Sequence, residues 1–168
     1  MIVYHGTTLT IKEPDVEHSK RYLDFGKAFY VTSFRIQAER WAKRKYLRQL
    51  DISDGKPILN EYALDDDFAG LKVLRFGEVD EQWFDFVCDC RNGIDRGADY
   101  DIIVGKVAND DVFKTIQKYL QGRMSKQDAI AELRYAKPND QIAFKTNRAI
   151  ASCLKFIRAT QLSVERQW

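Results

Sequence analysis

No apolar stretch in this chain exceeds about five residues, far short of the ~20 that a membrane-spanning helix needs. The opening residues, Met1-Ile2-Val3-Tyr4, carry no basic leader and no cleavage pattern, so no export signal is expected. Histidine is scarce: only His5 and His18 are present, and neither stands at ligand spacing from Cys88, Cys90 or Cys153. A zinc centre wants four ligands, so none is expected. An odd number of cysteines with one Cys-x-Cys pair does not read as a disulfide framework, and the three are expected as reduced, partly buried thiols. There is no repeat and no low-complexity tract. A Gly-rich phosphate loop is missing too, so any bound dinucleotide is not held in the Rossmann manner.

What the chain does have suits one soluble domain over residues 1–168, with 45% hydrophobic and 31% charged residues. A net charge of +2 does not by itself demand a nucleic-acid partner. Residues 2–5 read as a first strand stopped by Gly6, followed by an irregular polar stretch over 8–24, long enough to suggest a functional loop. Residues 28–32 form a second strand, and Ser33 is placed to cap a helix over about 34–50. Two strands follow at 58–64 and 71–76, separated by the solvated turn Asp65-Asp66-Asp67, and then a helix opens at Asp80 and ends at Asn92-Gly93. Residues 100–108 read as a buried strand. Asn109-Asp110-Asp111 then caps an amphipathic helix carrying Val112, Phe113, Ile116, Tyr119 and Leu120 and stopped by Gly122. Ser125 and Asp128 look like a capping box for a short helix, and Lys137-Pro138-Asn139 turns the chain into a strand over 141–146. A short helix at 147–154 and a last strand within 154–164 complete an irregular mixture of elements, which fits α+β better than a doubly wound α/β fold.

Three segments could carry chemistry. Tyr4-His5-Gly6-Thr7 puts a histidine at a strand end beside a glycine, where a ligand can approach the backbone. Residues 24–32, Asp-Phe-Gly-Lys-Ala-Phe-Tyr-Val-Thr, gather Phe25, Phe29 and Tyr30 around a glycine turn, a candidate stacking surface for a planar ring. Asn139-Asp140-Gln141-Ile142-Ala143-Phe144 opens a late strand with polar side chains. Taken singly, each has a plain structural explanation: a satisfied histidine, core aromatics, a turn.

Their order and spacing together resemble the ADP-ribosyltransferase superfamily, in its diphtheria-toxin/PARP-like branch marked by His, Tyr and usually Glu. With Gln37-Ala38-Glu39-Arg40-Trp41-Ala42 and the run from Tyr100 to Asp110, they look like the bacterial DUF3990 family over residues 4–144. The resemblance implies two packed, mostly antiparallel sheets with flanking helices, and NAD⁺ as co-substrate. It implies that His5 bonds a ribose hydroxyl, Gly6 offers its backbone N–H and C=O to the nicotinamide carboxamide, Tyr30 stacks on the nicotinamide ring and Thr7 lies beside the ribose. Gln141 falls at the catalytic Glu position.

Gln141 bonds hydroxyls but carries no charge and cannot act as a base. Three alternatives follow: single transfer with help from the acceptor; another carboxylate, Asp110 or Asp111 or less simply Asp24; or binding without turnover. Arg21 could reach a phosphate, with Phe25 and Tyr22 near the ring. Arg35, Arg40, Lys43, Arg44, Lys45 and Arg48, interleaved with Trp41 and Tyr46, form either a solvated face or an electrostatic footprint. The expectation is a cytoplasmic mono-ADP-ribosyltransferase acting on a protein or nucleic acid, of the kind found as toxins countered by an antitoxin protein. The competing readings are an NAD⁺ or ADP-ribose binding module and an NAD⁺ glycohydrolase.

Overall fold

The computed structural model describes residues 1–19, 23–49, 55–106, 110–134 and 139–164. Arg21, Tyr22, Asn109, Lys137 and Pro138 lie outside the described residues, as do the side chains of Asp110, Asp111 and Val112.

Among the described residues the chain runs β1 (Ile2–Thr7), β2 (Phe29–Val31), α1 (Arg35–Leu47), β3 (Ile58–Leu64), β4 (Val73–Arg75), α2 (Glu81–Arg91), β5 (Ile102–Gly105), α3 (Asp110–Leu120), α4 (Lys126–Arg134), β6 (Gln141–Phe144), α5 (Asn147–Cys153) and β7 (Leu154–Gln161). The strands make two sheets, β1-β3-β7 and β2-β6-β5-β4. All pairings are antiparallel except that of β4 with β5. This is the expected α+β arrangement of two mostly antiparallel sheets with helices. None of the described helices is long and apolar enough to cross a membrane.

The inner strands of the second sheet, β5 and β6, are buried on both faces, which explains their unbroken apolar runs. Alternate residues serve two cores. Ile103 and Ala143 face a cluster with Phe25, Trp83, Phe84, Val87, Ile116 and Leu133, under α2, α3 and α4. Ile102, Ile142 and Phe144 face a second cluster with Val3, Phe29, Tyr62 and Ile150, which joins the two sheets and α5. The irregular segment after β1 is tied to β3: Asn60 accepts from the Ile11 N–H at 2.9 Å and donates to the Leu9 carbonyl at 3.0 Å, and the Tyr62 hydroxyl donates to the Ile11 carbonyl at 2.7 Å.

The expected caps at Asp80 and Ser125 are present, that at Ser33 is not, and the one at Asn109-Asp110-Asp111 lies outside the described residues. Asp80 accepts from the Trp83 N–H at 2.8 Å, Thr146 caps α5, and Ser125 and Asp128 close their box. Ser33 does not cap α1. The N-cap position is Phe34, which offers no side-chain acceptor. Instead the Thr32 hydroxyl accepts from the Phe34 N–H at 3.0 Å and Asp140 accepts from the Ser33 N–H at 2.8 Å. The turn that leads into α1 is thus fixed partly by a residue more than a hundred positions away in sequence.

The glycine after His5 has a structural cause. A Cβ at Gly6 would lie 1.8 Å from the Ala38 carbonyl oxygen and 2.8 Å from the Ala42 nitrogen. The face of Gly6 that the sequence left open to a ligand is therefore the seat of α1. A backbone-to-backbone contact cannot be relieved by a rotamer change, so Gly6→Ala must push α1 off β1. We expect a loss of about 3 kcal/mol in stability, measured as a lowered denaturant midpoint. An unchanged midpoint would show that α1 is not fixed to β1 in this way.

Candidate functional site

The two sheets meet at an isolated bridge, Tyr4 with Thr32. The Tyr4 N–H donates to the Thr32 carbonyl at 2.8 Å and the Thr32 N–H to the Tyr4 carbonyl at 2.9 Å. Beyond it β1 and β2 part, and the imidazole of His5 stands in the gap. Its Nδ1 lies 2.7 Å from the Tyr30 carbonyl, and its ring stacks on Phe29 with centroids 4.6 Å apart. A carbonyl only accepts, so Nδ1 carries the hydrogen and Nε2 keeps its lone pair. Burial pushes the His5 pKa down to about 4, and the positive charge of Lys45 pushes the same way against the Tyr30 hydrogen bond. At neutral pH, His5 is an uncharged ring with one nitrogen fixed as donor and the other as acceptor.

The backbone beside it also has a fixed polarity. In an antiparallel ladder, alternate residues turn their N–H and C=O to opposite edges. Tyr4 turns its pair toward β2, so Gly6, two residues on, turns its pair to the same edge, away from its β3 neighbour Leu59. There β2 has already diverged. One donor and one acceptor of Gly6 thus face the split next to His5. Thr7, buried beyond them, accepts from the Lys45 ammonium at 2.9 Å.

Tyr30 borders the same split from β2. Its hydroxyl donates to the Gly26 carbonyl and accepts from the Phe25 N–H at 3.2 Å, which pins the turn before the strand. Burial and the nearby Asp24 charge raise its pKa well above the usual tyrosine value, so the phenol stays neutral. The turn itself needs glycine: Gly26 has φ +79° and lies against Asp95 and Lys145. Phe25 does not join a ligand-facing surface. It is fully buried, stacked on Phe76 at 5.8 Å and edge-on to Phe86 at 6.1 Å. The aromatic content of this motif is therefore mostly core, with Tyr30 alone half-buried at the split.

Gln141 opens β6 opposite Gly105, but its amide is engaged. Its Nε2 donates to Asp24 Oδ2 at 3.2 Å, and Asp24 in turn holds Arg91, whose Nε is 2.8 Å from Oδ1. Asp24 and Gln141 are both buried. The pairing with Arg91 removes Asp24 as a spare carboxylate. Asp110 begins α3, beyond Gly105, and its side chain and that of Asp111 lie outside the described residues.

The sequence reading passed over Asp140. Its Oδ1 accepts from the Thr32 hydroxyl at 2.7 Å and the Ser33 N–H at 2.8 Å, Oδ2 accepts from the Ser33 hydroxyl, and its carbonyl accepts from Gln37 at 3.0 Å. A carboxylate is therefore fixed at the bridge that joins the sheets, one residue before Gln141. The available signal was the pair of hydroxyls at Thr32-Ser33, which call for an acceptor.

The neutral His5 has a consequence for stability. Between pH 6.5 and about 4, the unfolded chain takes up a proton that folded His5 refuses. Its contribution is therefore complete above pH 6.5 and is lost as pH falls toward 4, by up to about 3 kcal/mol. The pH dependence of the melting temperature checks this. His5→Asn should flatten the curve in that window, and a variant as pH-sensitive as the parent would contradict it.

No curated protein matches the chain. A family described as a protein of unknown function, DUF3990, matches residues 1–156. With nearly all of its length covered, the chain belongs to the DUF3990 family.

Proposed function

We propose that this chain is an NAD⁺-dependent mono-ADP-ribosyltransferase, with the split between β1 and β2 as its co-substrate site. The observation that carries the reading is the set of fixed polarities at His5 and Gly6. A carboxamide presents one donor group and one acceptor, the complement of the outward N–H and C=O of Gly6. A ribose hydroxyl is a donor for the lone pair that the Tyr30 carbonyl leaves on His5 Nε2. Tyr30 borders the split through its backbone carbonyl, and its phenol is locked in place by bonds to Gly26 and Phe25; its stacking on the nicotinamide ring is part of the proposal.

In the proposed reaction the bond from ribose C1′ to the nicotinamide nitrogen breaks, and its electron pair leaves with nicotinamide. The acceptor's nucleophile bonds C1′ and gives up a proton. Developing positive charge on the ribose favours a nearby carboxylate. Gln141 supplies none, and Asp24 is committed to Arg91. Asp140 is the carboxylate that supports the reading best, since Oδ2 keeps room for a further donor and the residue sits at the bridge. Either a protein side chain or a nucleic acid serves as acceptor on these grounds, and a toxin restrained by an antitoxin protein remains part of the proposal. The engaged amide of Gln141 favours a second reading, a module that binds NAD⁺ without transferring anything.

Incubation with NAD⁺ labelled in the ADP-ribose and with cell lysate separates the readings. Label on a macromolecule is the expected result. Free nicotinamide without labelled product means a glycohydrolase, and thermal protection by NAD⁺ without turnover means a binding module. Asp140→Asn keeps most of the hydrogen-bonded shape and should lower transfer roughly 100-fold or more. Gln141→Ala should act mainly on stability. Tyr30→Ala should weaken NAD⁺ binding; unchanged affinity in calorimetry would remove Tyr30 from the site.

A further inference from the structure

We propose that the outward face of α1 binds single-stranded nucleic acid, with Arg40 and Arg48 on phosphates and Trp41 on a base. As an acceptor site this rests on the transferase reading; as a binding surface it does not.

Helix α1 contributes little to the core. Of its residues only Ala38 and Ala42 are buried, and they seat the helix on Gly6. The segment 35–48 holds six basic residues and one acidic residue, in a chain whose totals are nearly balanced at 27 and 25. Arg35 bonds Glu39 at 2.8 Å, and Lys45 reaches Thr7 at 2.9 Å. Arg40, Lys43 and Arg48 ion-pair with no carboxylate among the described residues. The guanidinium of Arg44 lies over the Trp41 ring, 5.6 Å from its centroid.

Spacing makes this more than net charge. Positions 40, 44 and 48 are four apart, so they fall in one row on the side away from Ala38 and Ala42, with about 6 Å of rise between neighbours. Lys43 flanks that row. Trp41 stands on the shoulder of the same face with 38% of its surface exposed, unusually open for tryptophan in a folded chain. A row of cations beside an exposed aromatic ring, itself stacked with arginine, is the chemistry that holds a single strand. The cations track the backbone and the ring takes a base without regard to sequence. The helix also borders the proposed co-substrate site, since Gly6 lies beneath it and Lys45 bonds Thr7.

Fluorescence anisotropy with labelled oligouridylate and oligothymidylate tests the proposal, in the absence of NAD⁺. Affinity should fall steeply between about 50 and 200 mM salt. In the double variant Arg40→Ala, Arg48→Ala, the slope of log K against log salt should become shallower by about 1.4, the value for two lost phosphate contacts. Trp41→Ala should weaken binding roughly 5- to 100-fold at every salt concentration while leaving the slope alone. All these side chains point outward, so the thermal midpoint serves as a check that the variants remain folded. The proposal is overturned if neither oligonucleotide binds at low salt, or if the folded variants bind like the parent. It is equally overturned if polyglutamate or phosphatidylserine vesicles compete as well as the oligonucleotide, since the face would then read charge alone. Because NAD⁺ takes no part, failure here leaves the transferase reading standing with a different acceptor, and failure of that reading leaves the binding result intact.

Discussion

The hydrogen-bonded pair between Tyr4 and Thr32 is the hinge point of this architecture. Two sheets that otherwise pack through side chains are stitched there by backbone, and the strands diverge at once. Divergence would normally leave buried N–H and C=O groups without partners, at a cost comparable to a lost hydrogen bond for each. The chain meets that cost on one side with a side chain, since His5 Nδ1 satisfies the Tyr30 carbonyl. On the other side Asp140 satisfies the Ser33 N–H and the Thr32 hydroxyl. Among the described residues, the polar pair of Gly6 faces the opening between the two sheets.

The same junction explains the placement of α1. The turn that enters it is held by Thr32 and Asp140, and its middle rests on Gly6. An apolar stripe contributes little, because only two alanines are buried, although the helix is rich in strong helix formers. Tertiary contacts at three points thus hold a helix whose outer face is free to be strongly basic. That charge also bears on the site below it: with burial, Lys45 helps keep His5 neutral. A basic helix over a neutral histidine leaves its acceptor nitrogen unprotonated at physiological pH, which a hydroxyl-binding role requires.

Much of the fold was legible because its signals are local. The doubly buried strands β5 and β6 announce themselves as apolar runs, and Asp80, Ser125 and Thr146 cap helices within three residues of themselves. The errors came from distance. Ser33 looked like a cap because it precedes a helix, but its donors are met by Asp140 across the sheet. Phe25 looked like half of an aromatic platform. Sequence cannot show that its ring fills the space above Gly105, where an added Cβ would come within 2.8 Å of it. At Gly6 the close approach on the Cβ side is made by helix α1. At the site, the residue types were readable and their partners were not.

The difference between Asp140 and Gln141 is one of register. Neighbouring residues at the start of a strand send their side chains to opposite sides, so moving by one position exchanges one environment for the other. Gln141 points to the buried pair Asp24 and Arg91, where an amide donates a hydrogen bond and a carboxylate would face another 3.2 Å away. Like charges that close cannot both ionise cheaply, so a glutamate at 141 would stay protonated or break the Asp24–Arg91 pair. Glutamine is therefore the residue this environment accepts, and its lack of charge says little about chemistry. Asp140, ringed by hydroxyl and amide donors at the junction, is where a negative charge is tolerated and held still. In the transferase reading proposed above, Asp140 is the carboxylate that developing positive charge on the ribose would call for, one residue before Gln141.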